Sequence, residues 1–141
     1  MLIPILPEPI KIAHPKLPAS GDKIDVDVAI TVDASNIKSG VLVARVHDAA
    51  GLATNMTAYV RAYAGWPKDN SRVRYEDATA IGTTDVIARN STLEIVRTTG
   101  GTGTFAPNAP SLRVVVTFEA LGAVTSVGYV TLSICLIALP T

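Results

Sequence analysis

Apolar and polar residues alternate most regularly near the start of the main body of the chain. In residues 24–32 (IDVDVAITV) every second residue is Ile or Val, and the residues between them are Asp25, Asp27, Ala29 and Thr31. A period of two places neighbouring side chains on opposite faces of an extended backbone. The segment therefore predicts a strand with one face in the core and the other in water.

Several further segments have strand character, and short stretches rich in Gly, Asn, Asp and Ser separate them. They are residues 41–47, 54–64, 72–75, 93–97, 111–118 and 127–139. No segment carries a sustained helical stripe of apolar side chains, although residues 78–89 are compatible with a strand or a short helix. We therefore predict an all-β domain over residues 21–141. Its expected fold is an antiparallel β-sandwich that is either jelly-roll-like or immunoglobulin-like.

The last of these segments belongs to the most apolar part of the chain. Residues 121–139 carry no charge and are long enough for a membrane-spanning helix. However, Val130, Leu132, Ile134 and Leu136 alternate with smaller or more polar residues, and no basic residue follows them. We expect a buried strand here and no membrane partner.

The first twenty residues combine prolines with large aliphatic side chains. Five of the nine prolines lie here, and proline at this density prevents a helix and favours extended backbone. Because an extended apolar segment needs a surface to cover it, residues 1–20 are predicted to form a docking arm for a neighbouring subunit. Residues 10–13 (IKIA) are suited to adding a strand to a partner's sheet. The predicted partner-binding residues of the arm are Leu2, Ile3, Ile5, Leu6, Ile10 and Ile12.

The longest irregular stretch is residues 98–110, which contains three glycines and two prolines. Loops of this length in compact domains are commonly functional or ordered by a partner. The stretch lacks the lysine and the following helix of a phosphate-binding loop. We predict an inter-subunit loop, and the residues expected to make its contacts are Gly100, Gly101, Phe105 and Pro107.

Charge and composition narrow the classes of function. The chain has 12 basic and 12 acidic residues and no basic block, so we expect no nucleic-acid partner. Few charges and 48% hydrophobic residues are typical of a subunit that hides surface in an assembly. The single cysteine, Cys135, excludes a disulfide framework within the chain and a cysteine-based zinc site. The proline-interrupted N-terminus is not expected to act as a secretion signal.

Residues with catalytic or metal-binding chemistry are few and poorly placed. His47 and Asp48 are adjacent, so on a strand their side chains point to opposite faces. His14 has no carboxylate at ligand spacing, and Asp25 and Asp27 share one strand face as expected solubilising acids. We therefore predict no catalytic residue, no metal and no cofactor, and we expect that the protein is not an enzyme.

The organisation, a compact β domain with an extended N-terminal arm and low charge, resembles that of tailed-phage virion proteins. The resemblance implies a structural virion protein, most specifically a phage capsid decoration or cement protein. Its expected location is the virion, assembled in the host cytoplasm. Its expected partners are copies of itself, in a homo-oligomer such as a trimer, and other capsid or virion proteins.

Two alternatives remain open at the level of the sequence. The first is a tail-tube or fibre subunit, in which residues 98–110 stack successive rings. The second is a carbohydrate-binding β-sandwich, in which Trp66, Tyr63 and Tyr75 form an aromatic platform for a sugar ring.

Overall fold

The computed structural model describes residues 1–68, 72–74, 80–89, 94–99 and 103–140, with backbone alone at residues 30, 31, 66–68, 72–74 and 140. Within these ranges the chain forms nine strands and no helix. The strands are β1 (Leu2–His14), β2 (Lys23–Asp33), β3 (Ile37–Asp48), β4 (Met56–Lys68), β5 (Arg72–Arg74), β6 (Gly82–Thr83), β7 (Glu94–Arg97), β8 (Ser111–Ala120) and β9 (Gly128–Pro140).

The strands form two antiparallel sheets that pack face to face. The first sheet has the order β1-β9-β3-β7, and the second has the order β2-β8-β4-β5 with β6 also on β4. Along the chain β1, β2, β3 and β4 alternate between the two sheets, and so do β7, β8 and β9. This alternation is the winding of a jelly roll, whereas an immunoglobulin sandwich keeps its first two strands in one sheet. The predicted all-β antiparallel sandwich is confirmed, in its jelly-roll form.

The core lies between the two sheets and follows the period of two in the sequence. In β8 the inward side chains Leu112, Val114, Val116 and Phe118 are fully buried. In β9 the same holds for Val130, Leu132 and Leu136, with Ile134 nearly so. On β4 the inward residues include several alanines, which allow the opposite sheet to approach closely. The predicted buried strand near the C-terminus is therefore present.

The boundaries of two strands differ from the predicted ones. The strand predicted to begin at residue 41 begins earlier, at Ile37 of β3, because residues 37–40 pair with the end of β9. The strand predicted to end at residue 64 continues as β4 through residues 65–68, because Trp66, Pro67 and Lys68 pair with β5. In both cases a partner strand extends a segment whose own composition favours turns.

The N-terminal segment is an edge strand of the sandwich. β1 pairs antiparallel with β9, from Leu2 opposite Ile137 to His14 opposite Gly128. Ile12 is 7% exposed and belongs to the core, while the side chains of Ile3, Ile5 and Leu6 pack against it. The extended backbone is as predicted, but residues 2–14 lie in the body of their own chain, and the predicted boundary at residue 20 does not separate them from it.

The physical reason is the length and proximity of β9. Its thirteen residues offer a free hydrogen-bonding edge, and pairing within one chain avoids the entropy of association. Residues 10–13, predicted to add a strand to a partner, instead pair with residues 129–132 of the same chain. Prolines at positions 4, 7 and 9 lack an N–H, and the register of β1 shifts around Leu6. Such an edge is poorly suited to accepting a further strand.

The predicted inter-subunit loop contributes instead to the core. Phe105 is buried, and its backbone exchanges two hydrogen bonds with Gly40, of 2.8 and 2.9 Å. A Cβ on Gly82 would lie 2.6 Å from the Phe105 ring, so the ring covers a position that only glycine can occupy. Pro107 is also buried, whereas Gly100 and Gly101 lie outside the described residues. The side chains of Phe105 and Pro107 are therefore buried within their own chain, where they cover the apolar end of the sandwich.

Candidate functional site: the outer face of the first sheet

The outer face of the first sheet carries an apolar surface near the two chain termini. Outward positions follow from the strand registers, in which Leu2, Ile137 and Val41 are aligned, as are Pro4, Cys135 and Val43. Their sequence neighbours face the core, so these residues face away from it. We call this surface the apolar band. Its members are Leu2, Pro4, Val41, Val43, Ile95, Cys135, Ile137 and Leu139.

The side chains of the apolar band are unusually open to solvent. Leu2 is 64% exposed, Ile95 63%, Leu139 56% and Ile137 44%. Single exposed apolar residues are ordinary, but a contiguous group on one sheet face marks a site of interaction. The sequence carries a signal for it, because residues 134–139 (ICLIAL) are apolar in both alternating sets. A strand that is apolar on both sides is typical of a sheet covered on both faces.

A shallow groove crosses the apolar band between β1 and β7. Its volume is about 300 Å³. Leu2, Pro4 and Leu6 form one side, and Val43 and Ile95 form the other. Cys135 lies between them, and partial burial raises the pKa of its thiol. The thiol is therefore protonated near neutral pH and acts as an apolar side chain.

Charged side chains border the apolar band. Arg45 lines the end of the groove, Arg97 lies on the same face of β7, and Glu8 is exposed on the opposite edge strand. Among the described residues these three side chains form no hydrogen bond and no ion pair. Further along β1, Lys11 Nζ lies 4.2 Å from the centre of the Tyr129 ring.

The outer face of the second sheet has the opposite character, because its polar groups bind one another. Thr117 Oγ1 and Arg61 Nη2 donate to Asp25 Oδ1 at 2.7 and 3.1 Å, and Arg61 Nε donates to Thr117 Oγ1 at 3.0 Å. Tyr63 donates to Asp25 Oδ2 at 3.3 Å. Partial burial acts to raise the pKa of Asp25, but the hydrogen bonds from Thr117 and Arg61 outweigh it and lower that pKa.

Two further contacts complete this polar layer. The Tyr59 hydroxyl donates to Glu119 Oε1 at 2.9 Å. Burial, together with the carboxylate beside it, raises the pKa of Tyr59 to about 12. Arg113 Nε donates to Asp27 Oδ1 at 2.6 Å, and although burial acts to lower it, the pKa of Arg113 is raised by this carboxylate. Asp25 and Asp27, predicted to be solubilising acids, thus each bind an arginine, a pairing that sequence spacing could not reveal.

The predicted sugar platform is not assembled among the described residues. Tyr63 is buried, and the guanidinium groups of Arg61 and Arg113 lie 5.3 and 5.6 Å from the centre of its ring. A ring covered in this way has no face for stacking on a sugar. Tyr75 and the side chain of Trp66 lie outside the described residues.

The two histidines lie in different surroundings, one in the core and one near the end of β3. His14 is 2% exposed, and its ring centre lies 5.1 Å from that of Phe118. Its Nε2 accepts a hydrogen bond from the Ala53 N–H at 3.3 Å, and its Nδ1 lies 3.0 Å from the Pro15 carbonyl oxygen. These partners select the neutral ring with the proton on Nδ1. His47 precedes Asp48, whose carboxylate accepts from the Ala50 N–H at 2.8 Å in the following turn.

No group of three or more His, Cys, Asp or Glu side chains among the described residues is placed to hold a metal ion. No helix in the part of the chain that the structure describes is long and apolar enough to cross a membrane.

No family model matches this chain, and no curated protein matches it. Among solved structures, a chain of infectious bursal disease virus, Gt strain, is 14% identical over 96% of this chain and 30% of its own, with a TM-score of 0.44. A chain of the Gx strain is 15% identical over 98% of this chain and 31% of its own, with a TM-score of 0.36.

A third structure, the VP2 subviral particle of the same virus, is 12% identical over 100% of this chain and 42% of its own, with a TM-score of 0.26. This chain therefore spans less than half the length of each of these viral chains.

Proposed function

We propose that this protein is a structural subunit of a viral particle, which assembles by burying the apolar band against another subunit. In its most specific form the proposal is a decoration or cement protein on a phage capsid. The observation that carries it is the apolar band, because nothing within the described chain covers this surface.

Folding of a single chain does not explain why these exposed positions carry large apolar side chains. The inner face of the first sheet is already covered by the second sheet, and Leu2, Ile95 and Leu139 contribute little to that core. Full burial of a Leu or Ile side chain supplies about 1.5–3 kcal/mol, and these half-exposed side chains forgo roughly half of that free energy in water. A partner surface recovers part of that free energy, and the repeated contacts of a lattice multiply it through avidity.

The winding of the sandwich supports the same role by analogy. Jelly rolls occur in viral capsid proteins, and also in lectins and cupins. A fold shared by several functions does not choose among them. The apolar band favours assembly, since a sugar-binding surface needs polar groups and open aromatic rings, and the rings of the second sheet are covered by arginines.

Labelling of purified particles tests the proposal. Particles from cells that produce this protein are purified on a density gradient, probed with an antibody against the chain, and viewed by immunogold electron microscopy. We expect the chain to co-purify with the particles and gold to lie on the head surface. Gold along the tail supports a tail-tube or fibre subunit instead of a decoration protein. Particles that lack the chain refute the proposal.

A matched pair of variants connects incorporation with the apolar band. Leu139→Ser removes a side chain of the band, whereas Leu121→Ser removes one of similar exposure, 61%, from the loop after β8. Incorporation into particles should fall for Leu139→Ser and stay unchanged for Leu121→Ser. Equal incorporation of both variants contradicts the role of the band.

A further inference from the structure

We propose that the groove in the apolar band binds a medium-chain fatty acid, whose alkyl chain lies along the groove and whose carboxylate contacts Arg45. The inference goes beyond the proposed function, because it assigns a small-molecule ligand to one part of the surface. Val41, Ile137 and Leu139 do not line the groove. These members of the apolar band remain open to a protein partner when the groove is filled.

The lining of the groove is apolar except at one place. Among the described residues that line it, Arg45 and Ser133 carry the only polar side chains other than the Cys135 thiol, and none is acidic. The volume of about 300 Å³ is at the lower end of the range for small-molecule sites. Such sites are mostly apolar and have a few polar groups that orient the ligand. The lining of this groove has the same composition.

The groove lies where the edge strand departs from regular pairing. Pro4 is opposite Cys135 and Leu6 is opposite Ile134, so β1 has one more residue than β9 between these two pairs. A bulge of this kind bends its strand and changes the direction of the side chains. Leu6 and Ile134 both line the groove, although Ile134 is a core residue. The bulge therefore gives the outer face a depression that a regular sheet would lack.

The two polar side chains lie together at one end of the groove. Arg45 pairs with Ser133 of β9 on one side and with Ile95 of β7 on the other. Within the described part of the chain, neither Arg45 nor Ser133 forms a side-chain hydrogen bond, and Arg45 forms no ion pair. A guanidinium donates two parallel hydrogen bonds to a carboxylate, and a hydroxyl can donate a further one. This end of the groove is therefore complementary to a carboxylate head group.

The length of the groove sets the length of the alkyl chain. Leu2 at one end lies opposite Ile137, which is four residues from Ser133 at the other end. At about 3.4 Å per residue the groove runs about 13 Å along the strands. An extended alkyl chain advances about 1.3 Å per carbon, because each C–C bond of about 1.5 Å is inclined to the chain axis. A chain of about ten carbons therefore spans the groove.

An alkyl chain suits this groove better than a peptide segment does. The backbone N–H and C=O groups of β9 and β3 point to neighbouring strands on both sides. The bottom of the groove therefore offers no backbone partner to a bound chain. A peptide would bring N–H and C=O groups that lose water without gaining a partner, at a cost in free energy. An alkyl chain has no such groups to satisfy.

Protection of Cys135 from alkylation measures occupancy of the groove. Cys135 lines the groove and is the single cysteine of the chain, so the mass of the intact chain reports its reaction with N-ethylmaleimide. We expect decanoate to slow this reaction in a saturable way. Decan-1-ol, which lacks the carboxylate, should bind roughly threefold to tenfold more weakly. In a Cys135→Ser background, Thr57→Cys on the outer face of the second sheet is the control, and decanoate should leave its reaction unchanged.

A matched pair of arginine variants tests the contact with the carboxylate. Arg45 and Arg97 are both exposed on this face of the first sheet, but Arg97 does not line the groove. Arg45→Gln should weaken the binding of decanoate by roughly threefold to tenfold and leave that of decan-1-ol unchanged. Arg97→Gln should change neither. Circular dichroism with and without the ligand checks that each variant stays folded.

A series of acids from hexanoate to tetradecanoate, each below the concentration at which it forms micelles, tests the length. Affinity should rise by about twofold to fourfold per methylene up to about ten carbons and then level off. A rise that continues to tetradecanoate indicates unspecific partitioning and overturns the site. Absence of protection at Cys135, equal affinities for decanoate and decan-1-ol, or equal effects of Arg45→Gln and Arg97→Gln also overturn it.

These outcomes are independent of the test of the proposed function. If decanoate does not bind but the chain is found on particles, the proposed function stands and the groove has no fatty-acid ligand. If decanoate binds as described but particles lack the chain, the fatty-acid site stands and the virion role fails.

Discussion

Replacing Ile12 by Ala tests whether the N-terminal strand is part of the fold. Ile12 lies opposite Val130 in the register of β1 and β9 and is 7% exposed. Ile10, two residues earlier on the same strand, is 47% exposed and serves as the matched control. The two substitutions remove the same atoms from the same strand, so they differ mainly in burial.

The magnitude follows from that difference. Removing a buried Ile side chain to Ala costs about 2–5 kcal/mol, and because β1 is an edge strand we expect about 3 kcal/mol for Ile12→Ala. Ile10 already keeps about half of its surface in water, so Ile10→Ala should cost about 1 kcal/mol or less. With a denaturant slope of about 2 kcal/mol per M in urea, the unfolding midpoint should fall by about 1.5 M for Ile12→Ala and by at most about 0.5 M for Ile10→Ala.

Urea unfolding followed by far-ultraviolet circular dichroism measures both shifts. The measurement is repeated at two protein concentrations, because a loss of association would change the midpoint with concentration and a loss of core packing would not. Equal shifts for the two variants, or no shift for Ile12→Ala, would refute the assignment of β1 to the core. That result would return the segment to the role of a free docking arm.

Three further outcomes follow from the second sheet and the sandwich end. Gly82→Ala should lower the urea midpoint, since its Cβ would lie 2.6 Å from the Phe105 ring; an unchanged midpoint contradicts the tight cover. A tyrosinate absorbance titration should show a group with a pKa of about 12 that Tyr59→Phe removes. This pKa exceeds the value of 10.0 for tyrosine in the unfolded chain. The stability that protonated Tyr59 contributes is therefore complete below pH 10 and is lost as the pH rises to about 12. Asp25→Asn should cost about 1–2 kcal/mol and Asp27→Asn less than about 1 kcal/mol, because the Asp25 carboxylate accepts three hydrogen bonds and Asp27 is more open. Asp25 has a lowered pKa, so the stability that its carboxylate contributes is present above pH 3.8 and is lost below it. Equal losses of stability in Asp25→Asn and Asp27→Asn would contradict the difference between the partners of the two carboxylates.

The sequence by itself determined the type of structure and the two faces of most strands. In β2 and β8 the alternation of apolar and polar residues is a local property, because side chains two residues apart share a face whatever the strand pairs with. The positions of Thr57, Tyr59 and Arg61 opposite the buried alanines of β4 follow in the same way. The alternation of Val130, Leu132, Ile134 and Leu136 likewise predicted a buried strand near the C-terminus, and these four side chains face the core.

Only the tertiary structure decided which surfaces meet. The N-terminal segment needed an apolar cover, but its composition does not say whether that cover belongs to the same chain; the free edge of β9 supplied it. Phe105 lies in the core because Gly40 and Gly82 leave room for its ring. Asp25 binds Arg61, which lies two strands away in the second sheet. These contacts join residues far apart in sequence, and their free energies depend on strand order and register, which a local pattern does not contain.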